Sequence, residues 1–157
     1  MSKTDPTDVS HEPIKPDEEF IRIIYSPEHV DDMGRIKPSA VSSQDLDLSK
    51  VDRDGYSVER KLFVKKSYIE ANIQRYLNRS SERKLHGFAV IKHNDIINIR
   101  DLNGHQALRV KPAPIPDNDA HALIICRNQY QPAIIRKFRD ELINKFLMFQ
   151  NLNDLFS

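Results

Sequence analysis

The sequence predicts a single α+β domain, built on a mixed or antiparallel sheet with two main helices and preceded by a disordered acidic tail. Length is the first reason, since 157 residues suit one domain with one hydrophobic core. The second is that strand-like and helix-like patterns do not alternate as regularly as a doubly wound parallel sheet requires. The third is the opening segment, residues 1–19, which has six acidic residues, three prolines and no aromatic residue. The domain is therefore expected over residues 20–157.

The first two predicted strands are Phe20–Tyr25 and Tyr56–Val64. In the first, Ile24 breaks the alternation of apolar side chains, which favours burial on both faces. The second follows an Asp-Gly turn and alternates cleanly, except that Arg60 interrupts its apolar face. A guanidinium in such a place either pairs with a carboxylate or receives an anion. An ion pair with Asp45, Asp47 or Asp101 is the favoured interpretation.

The two main helices are predicted from their starts and their apolar stripes. Ser67 and Glu70 have the spacing of a capping box, and apolar residues follow at helical spacing until the polar segment 78–84. A second helix is expected to open at Gln131 and Pro132, because proline suits the first helical turn. Its predicted stripe consists of Ile134, Ile135, Phe138, Leu142, Phe146 and Leu147.

Three more strands are predicted between and after these elements, in the segments 85–91, 105–110 and 120–126. In the first of them, Gly87 predicts a close backbone approach or a bulge. A short helix capped by Asn94 is expected between the first and the second.

Several functional classes are excluded because the sequence lacks the residues or motifs that they require. One cysteine permits neither an intrachain disulfide nor a four-cysteine zinc site. The four glycines form no phosphate loop or dinucleotide fingerprint, and the six histidines lack metal-ligand spacing, so neither cofactor nor metal is expected. No apolar stretch has the length of a signal sequence core or a membrane span, which predicts a soluble cytoplasmic protein.

One group of polar residues lies on or just after the predicted strands, where a sheet edge could gather them. Candidate residues for binding an anionic ligand are Arg22, His29, Arg35, Arg60 and His121. His121 enters its strand between two alanines, after an Asp-Asn-Asp loop that could orient its ring. A catalytic hydroxyl and its base could be Ser57 with His121, or Ser26 with His29. A bracing role for His121 is the favoured alternative.

Two resemblances rest on these same segments. The stretch from Gly34-Arg35 to Ser39-Ala40, the Ser57-Val58 strand and the Asn118-x-Ala-His-Ala segment resemble an uncharacterised group of small bacterial proteins. That resemblance covers residues 20 to 125 and implies a bacterial domain whose motif residues share a site. A looser similarity is to ADP-ribosyltransferase and RES-type folds. It implies that Arg22 and Ser57 would grip a dinucleotide, with His121 where those folds have a carboxylate.

Three functions follow as hypotheses. The first is a module that binds a protein partner, in a multi-gene bacterial system, through the apolar C-terminal residues Phe146, Phe149, Leu152 and Phe156. The second is an enzyme or sensor directed at a nucleotide, NAD or another anion through the Arg/Ser/His cluster. Nucleic-acid binding is disfavoured, since the formal net charge is only +1 and acidic residues interrupt the basic face of the last helix.

Overall fold

The computed structural model describes residues 12–156 and contains one six-stranded antiparallel sheet with helices on both faces. The strands are β1 (Glu19–Ser26), β2 (Tyr56–Arg60), β3 (Lys84–Lys92), β4 (Leu108–Pro112), β5 (His121–Cys126) and β6 (Leu147–Phe149). The two main helices are α2 (Lys66–Leu77) and α4 (Pro132–Asn144), and the short ones are α1 (Ser43–Leu46), α3 (His93–Ile97) and α5 (Leu152–Leu155). The strand order is β4-β5-β2-β1-β3-β6. The predicted fold class is confirmed.

The two faces of the sheet have separate hydrophobic cores. One face packs against α1, α3 and α4, with Tyr56 of β2 and Phe138 of α4 among its buried side chains. The other packs against α2 and α5, where Ile21 of β1, Val90 of β3 and Ile69 of α2 belong to one buried cluster. Because side chains alternate along a strand, Ser57 and Glu59 of β2 share the α2 side of the sheet. This side carries the candidate site.

The predicted helix starts need correction. The capping-box prediction is wrong, because α2 begins at Lys66 with Lys65 as its N-cap, so Ser67 lies inside the first turn. The N-cap of α3 is Lys92 rather than Asn94, since β3 leads directly into that helix. Neither N-cap side chain forms a capping hydrogen bond. The start of α4 at Pro132, with Gln131 as N-cap, is confirmed.

A short strand at the C-terminal end was not predicted. Helix α4 ends at Asn144, and Leu147–Phe149 pair with β3 as β6. The predicted stripe of α4 is therefore wrong at Phe146, which lies beyond the helix, and at Leu147, which belongs to a strand. Gly87 makes this pairing possible. A Cβ at position 87 would lie 2.7 Å from the carbonyl oxygen of Phe149, which confirms the predicted close approach.

The segment before β1 packs against the domain. Ile14 contacts the first core, and Glu18 is buried, so the packed chain begins before the expected residue 20. Of the tail predicted over 1–19, residues 1–11 lie outside the described residues. Within 12–156, every helix is too short or too polar to cross a membrane.

Candidate functional site

The candidate site begins where β1 and β2 separate. These strands pair only through Phe20 with Arg60 and Ile21 with Glu59. Past that point the guanidinium of Arg22 bridges them, with Nη1 donating a hydrogen bond of 3.0 Å to the carbonyl oxygen of Ser57. The same guanidinium lies 4.7 Å from the ring centroid of Tyr56. The side chain of Arg22 thus takes the place of backbone hydrogen bonds between β1 and β2, and an open wedge remains between the two strands.

That wedge forms a cleft of about 440 Å³, covered on one side by α2. We call it the arginine cleft. Its polar lining is Arg22, Tyr25, His29, Ser57, Glu59, Asn72, Arg75, Tyr76 and Arg79, and its apolar lining is Ile21, Ile23 and Val58. Three guanidinium groups therefore border a space that contains one carboxyl group, which gives the cleft a positive potential.

The three arginines enter the cleft from β1 and from the C-terminal end of α2. Arg22 is half-buried on β1, whereas Arg75 and Arg79 are exposed. Arg75 lies in the last turn of α2, and Arg79 lies in the turn that follows the end of the helix at Leu77. Arg75 donates to the Asn72 side chain, and Arg79 lies 5.9 Å from the ring centroid of Tyr76. Both exposed arginines border the mouth of the cleft.

The far wall is a fixed network of aromatic and charged groups. The rings of Tyr25 and Tyr76 have centroids 4.3 Å apart, and the Arg83 guanidinium lies 3.8 Å from the Tyr76 centroid. Glu28 accepts hydrogen bonds from the Tyr76 hydroxyl, at 2.9 Å, and from Arg83. The charge of Arg83 is thereby matched by Glu28, so it adds little to the net charge of the cleft.

His29 contributes a neutral donor. Its Nδ1 accepts a hydrogen bond of 3.0 Å from the backbone N–H of Tyr25, so in the neutral ring the proton is on Nε2. Burial, together with the positive charge of Arg22, lowers the pKa of His29. The ring is therefore neutral near pH 7 and has one N–H available for an acceptor.

Ser57 and His121 form a hydrogen-bonded pair on neighbouring strands. The Oγ of Ser57 lies 3.1 Å from Nε2 of His121, while Nδ1 of His121 lies 2.8 Å from the carbonyl oxygen of Ala113. A carbonyl only accepts hydrogen bonds, so Nδ1 carries a proton, and in the neutral ring Nε2 accepts from the Ser57 hydroxyl. His121 thus links β2 to the proline-rich segment before β5.

Glu59 is a half-buried carboxyl group beside this pair. It lies directly opposite His121 in the register of β2 and β5. Burial raises the pKa of Glu59, while a hydrogen bond from Asn118 and the positive charge of Arg22 partly oppose that effect. The Asn118 side chain also accepts a hydrogen bond of 3.1 Å from the backbone N–H of Ala120, which fixes the start of β5.

The cleft brings together part of the predicted ligand-binding set. Arg22 and His29 line it, and His121 contacts it through Ser57. Arg35 lies elsewhere, exposed in a turn and paired with Asp31 at 3.1 Å. Arg60 lies on the opposite face of the sheet, fully buried.

The predicted partners of Arg60 were wrong. Its Nε and Nη2 bind the two carboxylate oxygens of Glu18 at 2.6 and 2.9 Å, and its guanidinium lies 4.6 Å from the Phe63 ring centroid. Asp45 instead pairs with Arg53, Asp47 bonds to Ser49, and Asp101 accepts from Tyr130. Assigning Glu18 to a disordered tail removed the correct partner from consideration.

Sequence reasoning missed Arg75, Arg79 and Glu59. Arginines on the exposed side of an amphipathic helix look like ordinary solvated residues, and the pattern of α2 does not say what its polar edge faces. Glu59 looked like an outward residue of a half-exposed strand. No local pattern signals this pair of arginines, since Arg75 lies in the last turn of α2 and Arg79 lies beyond the end of the helix.

The apolar C-terminal residues are mostly packed. Phe146, Phe149 and Leu152 are partly buried against the hydrophobic cores, while Phe156 is 41% exposed. Leu147 of β6 is 62% exposed. Within the described residues, the apolar side chains at the C-terminal end thus mostly pack into the hydrophobic cores.

Neither grouped metal ligands in the described residues nor similarity to known proteins assigns a function to the site. Within the described part of the chain, no three His, Cys, Asp or Glu residues are grouped so as to hold a metal ion. Comparison with protein-family models, curated proteins and solved structures gives no match. The two resemblances based on sequence motifs therefore stay predictions.

Proposed function

We propose that the protein binds a phosphate-bearing small molecule of nucleotide size in the arginine cleft. The observation that carries the proposal is the convergence of Arg22, Arg75 and Arg79 around one cleft whose single carboxyl group, Glu59, has a raised pKa. Guanidinium groups match phosphate oxygens in geometry as well as charge, because they present paired N–H donors.

The other lining groups suit such a ligand. His29 supplies a neutral N–H, and the Asn72 amide and Ser57 hydroxyl supply further polar contacts. Ile21 and Ile23 form an apolar wall against which a flat base could lie. A volume of about 440 Å³ falls in the range of known small-molecule pockets, roughly 300–1,000 Å³.

The protein-partner hypothesis has less support. It depended on an apolar patch formed by the C-terminal residues, but Phe146, Phe149 and Leu152 pack against the domain. What they leave exposed is centred on Leu147 and Phe156, which are 62% and 41% exposed. Scattered apolar side chains of this kind are normal on a protein surface.

Calorimetric titration with ATP, NAD, AMP and inorganic pyrophosphate tests the proposal. We expect at least one to bind, and we expect the double variant Arg75→Ala/Arg79→Ala to lower the affinity at least tenfold. The matched control is Arg136→Ala/Lys137→Ala, which removes two exposed cations from α4. No binding by any of the four compounds, or an equal loss in both double variants, would overturn the proposal.

A further inference from the structure

We propose that Ser57 and His121 are a nucleophile and its general base, which hydrolyse a carboxylic ester that carries an anionic group. The preference for an anionic substrate rests on the proposed function of the arginine cleft. The nucleophile–base assignment itself rests on the geometry of the two side chains.

The hydrogen bonds of His121 place its ring proton on the nitrogen that general-base catalysis requires. The carbonyl of Ala113 holds the proton on Nδ1 of His121, at 2.8 Å, so Nε2 presents its lone pair to the Ser57 hydroxyl at 3.1 Å. A hydroxyl nucleophile needs such a base within hydrogen-bond reach, and the base needs a third group to orient it. Ala113 supplies that third group through its backbone.

The pair is held rigidly and is also accessible. Both side chains lie on adjacent strands of the sheet, in a register fixed by Ser57 opposite Leu123 and Glu59 opposite His121. Ser57 is only half-buried and lines the arginine cleft. Ser57 and His121 also line a second depression, of about 500 Å³, beside the Ala113–Ile115 segment. A substrate could thus approach the hydroxyl while its anionic group contacts the arginines.

A positive charge borders both depressions that Ser57 lines, on the guanidinium of Arg22. Arg22 donates to the carbonyl oxygen of Ser57 itself, at 3.0 Å, which keeps its guanidinium beside this residue. Negative charge develops on the ester oxygen during attack, and a fixed cation nearby lowers the energy of that state. Arg22 is therefore assigned to stabilising the oxyanion.

The reaction proceeds in two balanced steps. In the first, Ser57 Oγ attacks the ester carbonyl carbon, its proton passes to His121 Nε2, the carbon–oxygen bond to the alcohol breaks, and Nε2 gives that proton to the departing oxygen. In the second, water attacks the acyl-serine and loses a proton to Nε2, which protonates Ser57 Oγ as the acid leaves. Water is the only co-reactant, and the enzyme returns to its starting state.

A fluorophosphonate probe tests the nucleophile directly, with the labelled residue identified by peptide mass spectrometry. We expect the label on Ser57 of the wild type and none on Ser57→Ala, and we expect His121→Asn to slow labelling about 100-fold or more. Ser67→Ala, which removes an exposed hydroxyl from α2, is the matched control and should be labelled as the wild type is. Circular dichroism establishes that each variant is folded.

Hydrolysis of 4-nitrophenyl acetate and mono-4-nitrophenyl succinate provides the second measurement. We expect the wild type to release nitrophenolate from the anionic ester faster than Ser57→Ala does, by at least tenfold. A folded wild type with no label on Ser57 and the same hydrolysis rate as Ser57→Ala would overturn the inference. If His121→Asn does not fold, the comparison of the wild type with Ser57→Ala still decides it.

The two proposals can fail separately. Binding of a phosphate compound without labelling of Ser57 would overturn the catalytic assignment and leave the arginine cleft as a binding site. Labelling of Ser57, with no preference for the anionic ester and no phosphate compound bound, would support the nucleophile and overturn the ligand class.

Discussion

Arg60 and Glu18 form a two-pronged ion pair in the interior of the protein, with Nε–Oε2 and Nη2–Oε1 distances of 2.6 and 2.9 Å. Their side chains are 0% and 1% exposed. The pair joins the segment before β1 to the end of β2, and so anchors the N-terminal part of the described chain. Its neighbours Glu19 and Lys61 form a second pair, at 3.0 Å, whose side chains are 32% and 28% exposed.

Removing one partner of the buried pair should strongly destabilise the fold. Arg60→Ala leaves a buried carboxylate without its main cation, so we expect a loss of about 3–5 kcal/mol in the free energy of unfolding. Lys61→Ala breaks the neighbouring, partly exposed pair and should cost less than about 1 kcal/mol. Urea denaturation measures both values. Similar losses in the two variants would contradict the structural role assigned to Arg60.

Glu59 should make stability depend on pH in a direction opposite to that of most carboxyl groups. Burial raises its pKa in the folded state, so its favourable contribution is complete below the unfolded value of 4.5 and is lost as pH rises through the folded value. Glu59→Gln removes the ionisation and keeps an oxygen for Asn118. Relative to the wild type, we expect this variant to gain stability as the pH rises from 4 to 7.

Urea denaturation of both proteins across that range measures the difference. A wild type that gains stability over Glu59→Gln with rising pH would mean that the folded protein favours the ionised carboxylate, contrary to the effect of burial.

Asn118 should control both the start of β5 and the ionisation of Glu59. Its side chain donates to Glu59 and accepts from Ala120, so Asn118→Ala removes two hydrogen bonds at a buried position. We expect a loss of about 2 kcal/mol, at roughly 1 kcal/mol for each bond, and a further rise in the pKa of Glu59. Carboxyl-detected NMR titration follows that pKa. An unchanged value would show that the hydrogen bond does not favour the carboxylate.

Gly87 should be required for the last strand. Gly87→Ala places a Cβ 2.7 Å from the Phe149 carbonyl oxygen, so the backbone of β6 must move away from β3. We expect a loss of about 1–3 kcal/mol and faster amide hydrogen exchange in residues 147–149. Unchanged stability together with unchanged exchange would contradict the close approach.

The sheet and its main helices were predictable because their signals are local. The alternation in 56–60, the apolar stripe of α4 and the Gln131-Pro132 start each depend on neighbouring residues alone. β6 was missed because a three-residue strand is too short for a periodic pattern, and its apolar residues continue the spacing of α4. The capping box failed because the chain enters α2 from a tight turn at Arg60, where Val64 bonds back to that residue.

The site was only partly predictable, for a different reason. Polar residues at strand ends pointed to Arg22, Ser57 and His121, since a sheet holds such side chains in place. Arg75 and Arg79 join them only because the C-terminal part of α2 and the turn after it border the cleft, and that packing is not encoded in either segment alone. The partner of Arg60 depended likewise on the long-range position of Glu18.

The most direct test of the arginine cleft is an NMR titration that follows backbone amides and arginine Nε–H groups while ATP, NAD or pyrophosphate is added. If the cleft binds such a ligand, the perturbed signals will cluster in Arg22, His29, Ser57, Arg75 and Arg79, and α4 will be unaffected. Signals that do not move with any of these compounds, or that move chiefly on α4, would contradict binding in the arginine cleft.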